Sequence, residues 1–300
     1  MRALFVLTPT ESKRLIGKAV AALPEVQHAK KNSRILVGHG TTNVYVAEEI
    51  LGREKFREAL DRDAYISGII QRGTLCTTPA AEKPPILVLD RGVVEPPAPT
   101  MAEMLKGFRK DSLFIKGANA VDLEGNAAAF VGHPEGGTIG WAIGAMLARG
   151  IPLLVPVGLE KLIPSVRKAV ALCGQQTFDY CQGMRVGLVP LSGGRVVTEI
   201  DALKILAGIE SHHVASGGCS GSEGAVTLVS EGEPERIRQA VALVESVKGD
   251  PPLHPRKPAC AVCVSRSPAQ PKDYKFEFDE PRCRYEKKAD ADLPSYLRSS

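Results

Sequence analysis

Short apolar runs alternate with amphipathic segments along roughly the first 180 residues of the chain. Residues 35–37, 85–90 and 151–157 have the length and the aliphatic content of buried strands. Helices are predicted over residues 10–23, 43–51, 101–108, 139–148 and 160–172. Near-continuous apolar strands that alternate with helices are typical of a parallel sheet covered on both faces. The pattern therefore predicts an α/β fold with a Rossmann-like parallel sheet over residues 1–183.

The pattern changes after residue 183. The next predicted elements are a strand at 185–191, a helix at 199–207, strands at 210–216 and 225–229, and a helix at 234–248. This β-α-β-β-α order is that of a ferredoxin-like unit without its last strand, which predicts a second, smaller α+β domain at 184–250. Its edge strand favours a homo-oligomer by fold analogy. Residues 251–300 are rich in Pro, Lys and Arg, and predict an extended tail with a weak strand at 274–278.

Charge and hydropathy exclude several classes of protein. The net charge is +4, but residues 251–300 hold 10 Lys and Arg against 7 Asp and Glu, whereas the other residues hold 28 against 27. A nearly neutral body argues against a nucleic-acid-binding face. No apolar run reaches the roughly 18 residues of a membrane span, and the apolar run at residues 4–7 is too short for a secretory signal. These features predict a cytoplasmic protein without nucleic-acid or membrane partners.

A glycine-rich loop joins the predicted strand at 35–37 to the helix at 43–51. It reads Gly38, His39, Gly40, Thr41 and Thr42. Glycines let backbone amides approach a ligand, a threonine can cap the helix, and the free amides at a helix start attract an anion. The loop predicts a binding site for a phosphate or carboxylate, although an ordinary strand–turn–helix connection explains it as well.

A second loop follows the strand predicted at residues 112–116. Lys116 lies at the end of that strand, where it can pair with an anion or polarise a carbonyl group, or simply reach solvent. Gly117 and Asn119 follow it as candidate ligand-binding residues. Asp122, three residues beyond Asn119, is a candidate for proton transfer.

A third loop leads into the helix predicted at residues 139–148. Gly136, Gly137 and Thr138 resemble a second anion-binding helix start, with Thr138 as the expected cap. Glu135 in the same turn is a candidate acid or base. The three loops therefore contain all the residues from which we expect ligand binding and catalysis.

Two of these segments resemble one superfamily. The loop at 38–42 is similar to the G-x-G-T/S-T loop of ribose-5-phosphate isomerase, glucosamine-6-phosphate deaminase and the CoA-transferase-like proteins related to them. Residues 117–126 are similar to the G-A-D segment of that group, and the resemblance covers roughly residues 30–165. It implies a Rossmann-like sheet that binds a phosphorylated sugar, a CoA thioester or a similar anion at the carboxyl ends of its strands. Ribose-5-phosphate isomerase also carries a small α+β second domain.

The chain departs from this group at Asn119, where the group has an aspartate that works in several of its isomerases. An amide cannot act as a general base. Two functions therefore stay open. The first is an enzyme that transfers a proton next to a carbonyl group through Lys116, Asp122 or Glu135. The second is a non-catalytic sensor that binds an effector at the same loops. Neither function requires a cofactor.

The tail contains a C-x-x-C pair, Cys260 and Cys263, followed by Cys283 and preceded by His254. Three thiols and one imidazole can form a tetrahedral zinc site, which would explain how a Pro-rich tail becomes ordered. Incidental thiols and a redox pair are the alternatives, because the spacing to Cys283 is loose. The sequence leaves a structural zinc ion open.

Overall fold

The computed structural model describes residues 1–78, 82–257, 259–263 and 283–298. The strands are β1 (Arg2–Leu7), β2 (Arg34–Val37), β3 (Gly68–Gln71), β4 (Thr74–Thr77), β5 (Leu87–Asp90), β6 (Val93–Val94), β7 (Leu113–Ile115), β8 (Ala120–Val121), β9 (Ala127–Val131), β10 (Leu153–Pro156), β11 (Gly187–Pro190), β12 (Arg195–Val197), β13 (Glu210–Gly217) and β14 (Ala225–Glu231). The α-helices are α1 (Pro9–Ala22), α2 (Pro24–Asn32), α3 (Thr41–Leu51), α4 (Arg53–Ala59), α5 (Met101–Met104), α6 (Gly137–Arg149), α7 (Val166–Leu172), α8 (Glu199–Ala207) and α9 (Pro234–Glu245). The predicted α/β class is confirmed.

A six-stranded sheet with the order β12-β10-β7-β2-β5-β6 forms the centre of the fold. The first four strands run parallel, but β5 is antiparallel to β2 and β6 is antiparallel to β5. The prediction of a purely parallel sheet is therefore wrong at one side. The Gly40 amide donates to the Tyr65 carbonyl at 3.2 Å, so the chain has already returned to the carboxyl end of β2 before β5 begins. β5 begins at that end and runs antiparallel to β2, so that its first residue, Leu87, pairs with Val37.

Both faces of this sheet are covered, as the apolar strand patterns predict. Ile35 and Val37 face a core shared with α1, α3 and α8, whereas Leu36 between them faces a second core shared with α5 and α6. The alternation follows from the two-residue period of a strand, which sends successive side chains to opposite faces. The parallel strands are therefore buried on both sides, and ligands have access to them only at their ends.

The strands after residue 183 are distributed over three sheets. β11 pairs with β9, β12 joins the central sheet beside β10, and β13 and β14 form an antiparallel sheet with β1. The observed order along the chain is β-β-α-β-β-α, because the short strand β12 before α8 was not predicted, and these strands do not form one ferredoxin-like sheet. Strand pairing thus crosses the predicted boundary at residues 183 and 184. The glycine-rich segment between β13 and β14 connects an antiparallel pair.

The helix predicted over residues 160–172 is wrong in its first half. Leu159–Lys161 form a single 3-10 turn, and α7 begins only at Val166. Pro164 has no N–H to donate, and the Ser165 hydroxyl accepts from the Lys168 amide at 3.3 Å and so caps a new helix. The apolar pattern continues across this break and therefore conceals it.

The described parts of the tail pack against the body. Cys260–Val262 form a 3-10 turn, and Cys283 makes a bridge to Met184. The strand predicted at 274–278 lies outside the described residues. Within the described ranges, no helix has the length and apolar character needed to cross a bilayer.

Candidate functional site

The carboxyl ends of the four parallel strands lie along one edge of the central sheet. The loop at 38–40 follows β2, the loop at 116–119 follows β7, the 3-10 turn Leu159–Lys161 follows β10, and Thr198 follows β12. In open α/β sheets, this edge is where ligands bind. The first two predicted loops therefore meet at the edge where the fold favours a site.

The first loop is held against β7 and starts α3. The Gly38 amide donates to the Ile115 carbonyl at 2.9 Å, and Gly40 is the N-cap residue of α3 without any side-chain cap. The expected threonine cap is therefore wrong, because a glycine occupies that position. As a consequence the Thr41 and Thr42 side chains are not used on the helix start. The hydroxyl of Thr42 is buried and has no hydrogen-bond partner in the described part of the chain.

Asn43 is a buried side chain at this edge that the sequence analysis did not identify. Its amide nitrogen donates to the Gly38 carbonyl at 2.7 Å and to the Ile115 carbonyl at 3.4 Å, so two carbonyl acceptors define its orientation. Its amide oxygen faces Gly117 and finds no donor among the described residues. Buried polar atoms are normally satisfied, so two orphaned oxygens on adjacent residues, Thr42 and Asn43, mark this edge.

Lys116 extends along the first loop. A Cβ at position 38 would lie 3.0 Å from the Cδ of Lys116, so the glycine leaves room for the lysine side chain. The ammonium group donates to the Gly117 carbonyl at 3.1 Å and makes no ion pair within the described ranges. Burial, together with the positive charge of Lys161, lowers the pKa of Lys116 to about 8.

A second set of charged groups lies on the turn after β10. Burial also lowers the pKa of Lys161 to about 8, with the carboxylates of Glu160 and Glu199 opposing it. Glu160 pairs with Lys13 on α1 at 2.7 Å, and Glu199 accepts from the Leu159 amide at 2.9 Å. Burial raises the pKa of Glu199. The one sign of Lys161 in the sequence is its position after a predicted parallel strand, which it shares with Lys116.

His39 in the first loop is a neutral imidazole. A carbonyl can only accept, so the 2.8 Å contact with Pro84 places the proton on Nε2 and leaves a lone pair on Nδ1. Burial lowers the pKa of His39 to about 4, and the charges of Lys83 and Lys116 lower it further. Lys83 itself donates to the Thr77 hydroxyl at 2.9 Å, and burial lowers its pKa to about 8.

The second loop uses its polar side chains to hold its own shape. The Asn119 oxygen accepts from the Phe130 amide at 2.9 Å. Asp122 accepts from the Val166 and Asn126 amides, each at 2.9 Å. Burial alone would raise the pKa of Asp122, but these hydrogen bonds outweigh it and the pKa falls. Asp122 therefore holds the start of α7, and its expected role in proton transfer stays a prediction.

The third loop begins α6 with two glycines. Gly136 is the N-cap residue with φ of 78°, and Gly137 follows with φ of 55°, so the expected Thr138 cap is wrong. Both angles lie in the left-handed region that glycine favours. The Glu135 carboxylate is exposed and accepts from the Trp141 indole at 3.0 Å. Glu135 is thus hydrogen-bonded to a side chain of α6, and its expected acid–base role stays a prediction.

A cavity of about 300 Å³ lies away from the carboxyl edge of the central sheet, between the β3–β4 hairpin and the strands β9 and β11. Its walls are mainly apolar and include Phe130, Tyr180 and Met184. None of the residues predicted to bind an anion lines it. It therefore lends no support to the predicted anion site.

The zinc site that the sequence leaves open in the tail stays a prediction. Across the described residues, no group of three or more His, Cys, Asp and Glu side chains is placed to hold a metal ion. His254 is positioned by its amide, which donates to Asp63 at 2.8 Å.

Comparison with known proteins gives no significant match to any family model, any curated protein or any solved structure. The resemblance to the sugar-phosphate isomerase group therefore stays a prediction that rests on the two loops alone.

Proposed function

We propose that the chain binds a small anionic metabolite at the carboxyl edge of the parallel strands and transfers a proton next to a carbonyl group of that ligand. Lys116 carries the proposal. Its ammonium group is buried beside the glycine-rich loop and has no carboxylate partner in the described part of the chain. An uncompensated buried cation is costly, and a ligand anion would supply the missing charge.

The first loop supplies the other half of the proposed site. The amides at the start of α3 carry partial positive charge, and no side chain caps them. The hydroxyl of Thr42, which lacks a partner within the described residues, is a ready donor for a phosphate or carboxylate oxygen. A ligand anion here would satisfy groups that the fold leaves unsatisfied.

Lys116 has the properties required of the proton-transfer group. A pKa of about 8 lies close to neutrality, so the amine can accept a proton and return it at physiological pH. In its charged form it would stabilise an enediolate oxygen.

The second candidate function is a sensor that binds the same anion without chemistry. It is favoured by Asn119, which stands where the isomerase group has an aspartate and whose oxygen is used by the Phe130 amide. The two candidates share the binding site and differ only in turnover.

Binding is tested by a thermal-shift panel of sugar phosphates, sugar acids and CoA thioesters on the full chain. A ligand at 100 times its dissociation constant adds about 2.7 kcal/mol of stability. Thr42→Val is the sharpest variant, because it keeps the shape of the side chain and removes only the hydroxyl that lacks a protein partner. We expect it to fold as stably as the wild type and to lose most of the ligand-induced shift. An unchanged shift would refute the binding loop.

Catalysis is tested with Lys116→Gln and the matched control Lys110→Gln, which changes an exposed lysine just before β7. We expect Lys116→Gln to weaken anion binding by about 1.5 to 3 kcal/mol, the range of a charged hydrogen bond. Wild-type affinity should fall as the pH rises through about 8, where Lys116 loses its proton. Exchange of a ligand C–H with deuterated solvent, followed by NMR, separates the two functions: an enzyme exchanges and loses exchange in Lys116→Gln, whereas a sensor never exchanges.

A further inference from the structure

Four cysteine residues from distant parts of the chain surround one small cavity. Cys76 lies on β4, Cys260 begins the 3-10 turn of the tail and Cys263 follows it, and Cys283 is the first residue of the last described segment. The volume of the cavity is about 10 Å³, close to that of a single water-sized sphere. Three of these thiols belong to the predicted tail motif, whereas the fourth, Cys76, has no motif around it in the sequence.

Backbone hydrogen bonds hold the contributing segments together. The Leu75 amide donates to the Gln182 carbonyl and the Met184 amide donates back to the Leu75 carbonyl, each at 2.9 Å. Met184 in turn bridges to Cys283. The Lys287 amide donates to the Cys260 carbonyl at 2.8 Å. The convergence of the thiols therefore follows from the main-chain path of three segments.

We propose that Cys76, Cys260, Cys263 and Cys283 form a Cys₄ zinc site that fastens the tail to the β3–β4 hairpin. Four thiolates are the ligand set of closed, structural zinc sites, and the C-x-x-C spacing supplies two of them. The cavity volume of about 10 Å³ suits a single ion, and a tetrahedral set of four thiolates is a ligand set that zinc favours.

One cation and one anion line the cavity beside the four cysteines. Four thiolates around one divalent ion carry a net negative charge, and Lys257 lines the cavity with a compensating positive charge. Glu286 lines it as well. Burial raises the pKa of Cys263 to about 12, and the neighbouring thiols add to this effect. As each S–Zn bond forms, the thiol releases its proton to solvent, so binding of the metal offsets the cost of ionising the cluster.

The four cysteines line the cavity, but among the described residues they are not arranged as a group that already holds a metal ion. Zinc binding therefore requires the four side chains to turn inward, and we expect the tail to become more firmly attached when they do. His254, the fourth ligand that the sequence suggested, does not line the cavity, and Cys76 takes that position.

The test uses the full chain, purified without chelator, and measures its metal content by mass spectrometry. We expect one zinc per chain. Cobalt(II) added to chelator-treated protein should give the absorption of a tetrahedral cobalt thiolate. Cys76→Ser should weaken zinc binding roughly a hundredfold, because one of four ligands is lost. The matched control is Cys219→Ser, which changes an exposed cysteine between β13 and β14.

Alkylation of native protein gives a readout that does not depend on a folded variant. With zinc, Cys76, Cys260, Cys263 and Cys283 should resist iodoacetamide, and a chelator should make them reactive while Cys219 reacts in both conditions. Wild-type protein that neither contains zinc nor takes up cobalt overturns the proposal. Equal zinc affinity in Cys76→Ser and the wild type removes Cys76 from the site.

Discussion

At the scale of single residues, His39 couples the stability of the fold to pH. Its pKa is about 4 in the folded chain and 6.5 when exposed, so between these values the unfolded chain binds more protons. The free energy of unfolding should be unaffected by His39 above pH 6.5. It should fall by up to about 3 kcal/mol as the pH drops toward 4.

The measurement is urea unfolding of the wild type and His39→Gln at pH 7 and at pH 5. The glutamine does not titrate, so the variant should lose less stability than the wild type between the two pH values. His28→Gln, a change to an exposed histidine on α2, should behave as the wild type does. Parallel pH curves for wild type and His39→Gln would mean that His39 titrates normally in the folded protein.

Site residues that belong to a recognisable local motif were predicted from the sequence. Site residues that come together only through the topology of the chain were not. The loop at 38–42 and Lys116 each end a strand with a recognisable turn, and the structure joins them at one edge. Asn43 has no local signal, because its importance comes from contact with the Gly38 and Ile115 carbonyls. Cys76 lies far from the C-x-x-C pair in sequence, so only the three-dimensional path relates them.

At the scale of elements, α1 and α3 approach each other closely at Gly17. A Cβ at this position would lie 2.9 Å from the backbone carbon of Tyr45. Gly17→Ala would gain about 1 kcal/mol of helix propensity, but forcing two backbones apart costs roughly 1 to 3 kcal/mol. We expect the clash to dominate and the variant to unfold at lower urea concentration than the wild type.

Gly144→Ala on α6 is the matched control, because no heavy atom lies within 4 Å of its added Cβ. Only the propensity gain applies there, so this variant should be more stable by about 0.5 to 1 kcal/mol. If Gly17→Ala were stabilised as much as Gly144→Ala, the close α1–α3 contact would be refuted.

Elements whose ends are marked by capping residues were predicted well. The helix predicted at 199–207 is observed as Glu199–Ala207, where Thr198 and Asp201 form a capping box. The helix predicted at 160–172 failed because its apolar period continues through Pro164. The direction of β5 was also missed, since it depends on where the chain has returned and not on the residues of the strand.

At the scale of the whole molecule, strands that are distant in sequence pair with each other. β1 pairs with β14 along its full length, and β12 joins the central sheet beside β10. Periodicity shows that such strands exist but not which strand they pair with. The predicted boundary between 1–183 and 184–250 was placed from the change in pattern, and these long-range pairings were invisible to it.

One buried side chain connects α1, α3 and the segment after α9. Arg14 on α1 is 1% exposed and pairs with Glu48 on α3 and with Asp250 after α9. Arg14→Met keeps most of the volume but removes the cation at the centre of this cluster, so that Glu48 keeps only Arg62 and Asp250 keeps only Arg53. The loss of a buried ion-pair partner should cost up to about 3 to 5 kcal/mol. Arg238→Met breaks an exposed pair with Glu235 on α9 and should cost less than about 1 kcal/mol.

The cost of Arg14→Met should come from the stranded charges and not from lost packing. Adding Glu48→Gln and Asp250→Asn to Arg14→Met removes those charges, and the triple variant should therefore recover part of the lost stability. Urea midpoints of the three proteins measure this directly. A triple variant less stable than Arg14→Met would show that the carboxylates contribute through their own hydrogen bonds. A single sharp transition in the wild type is also expected, because α1, α3 and the segment after α9 share one guanidinium group and should unfold together.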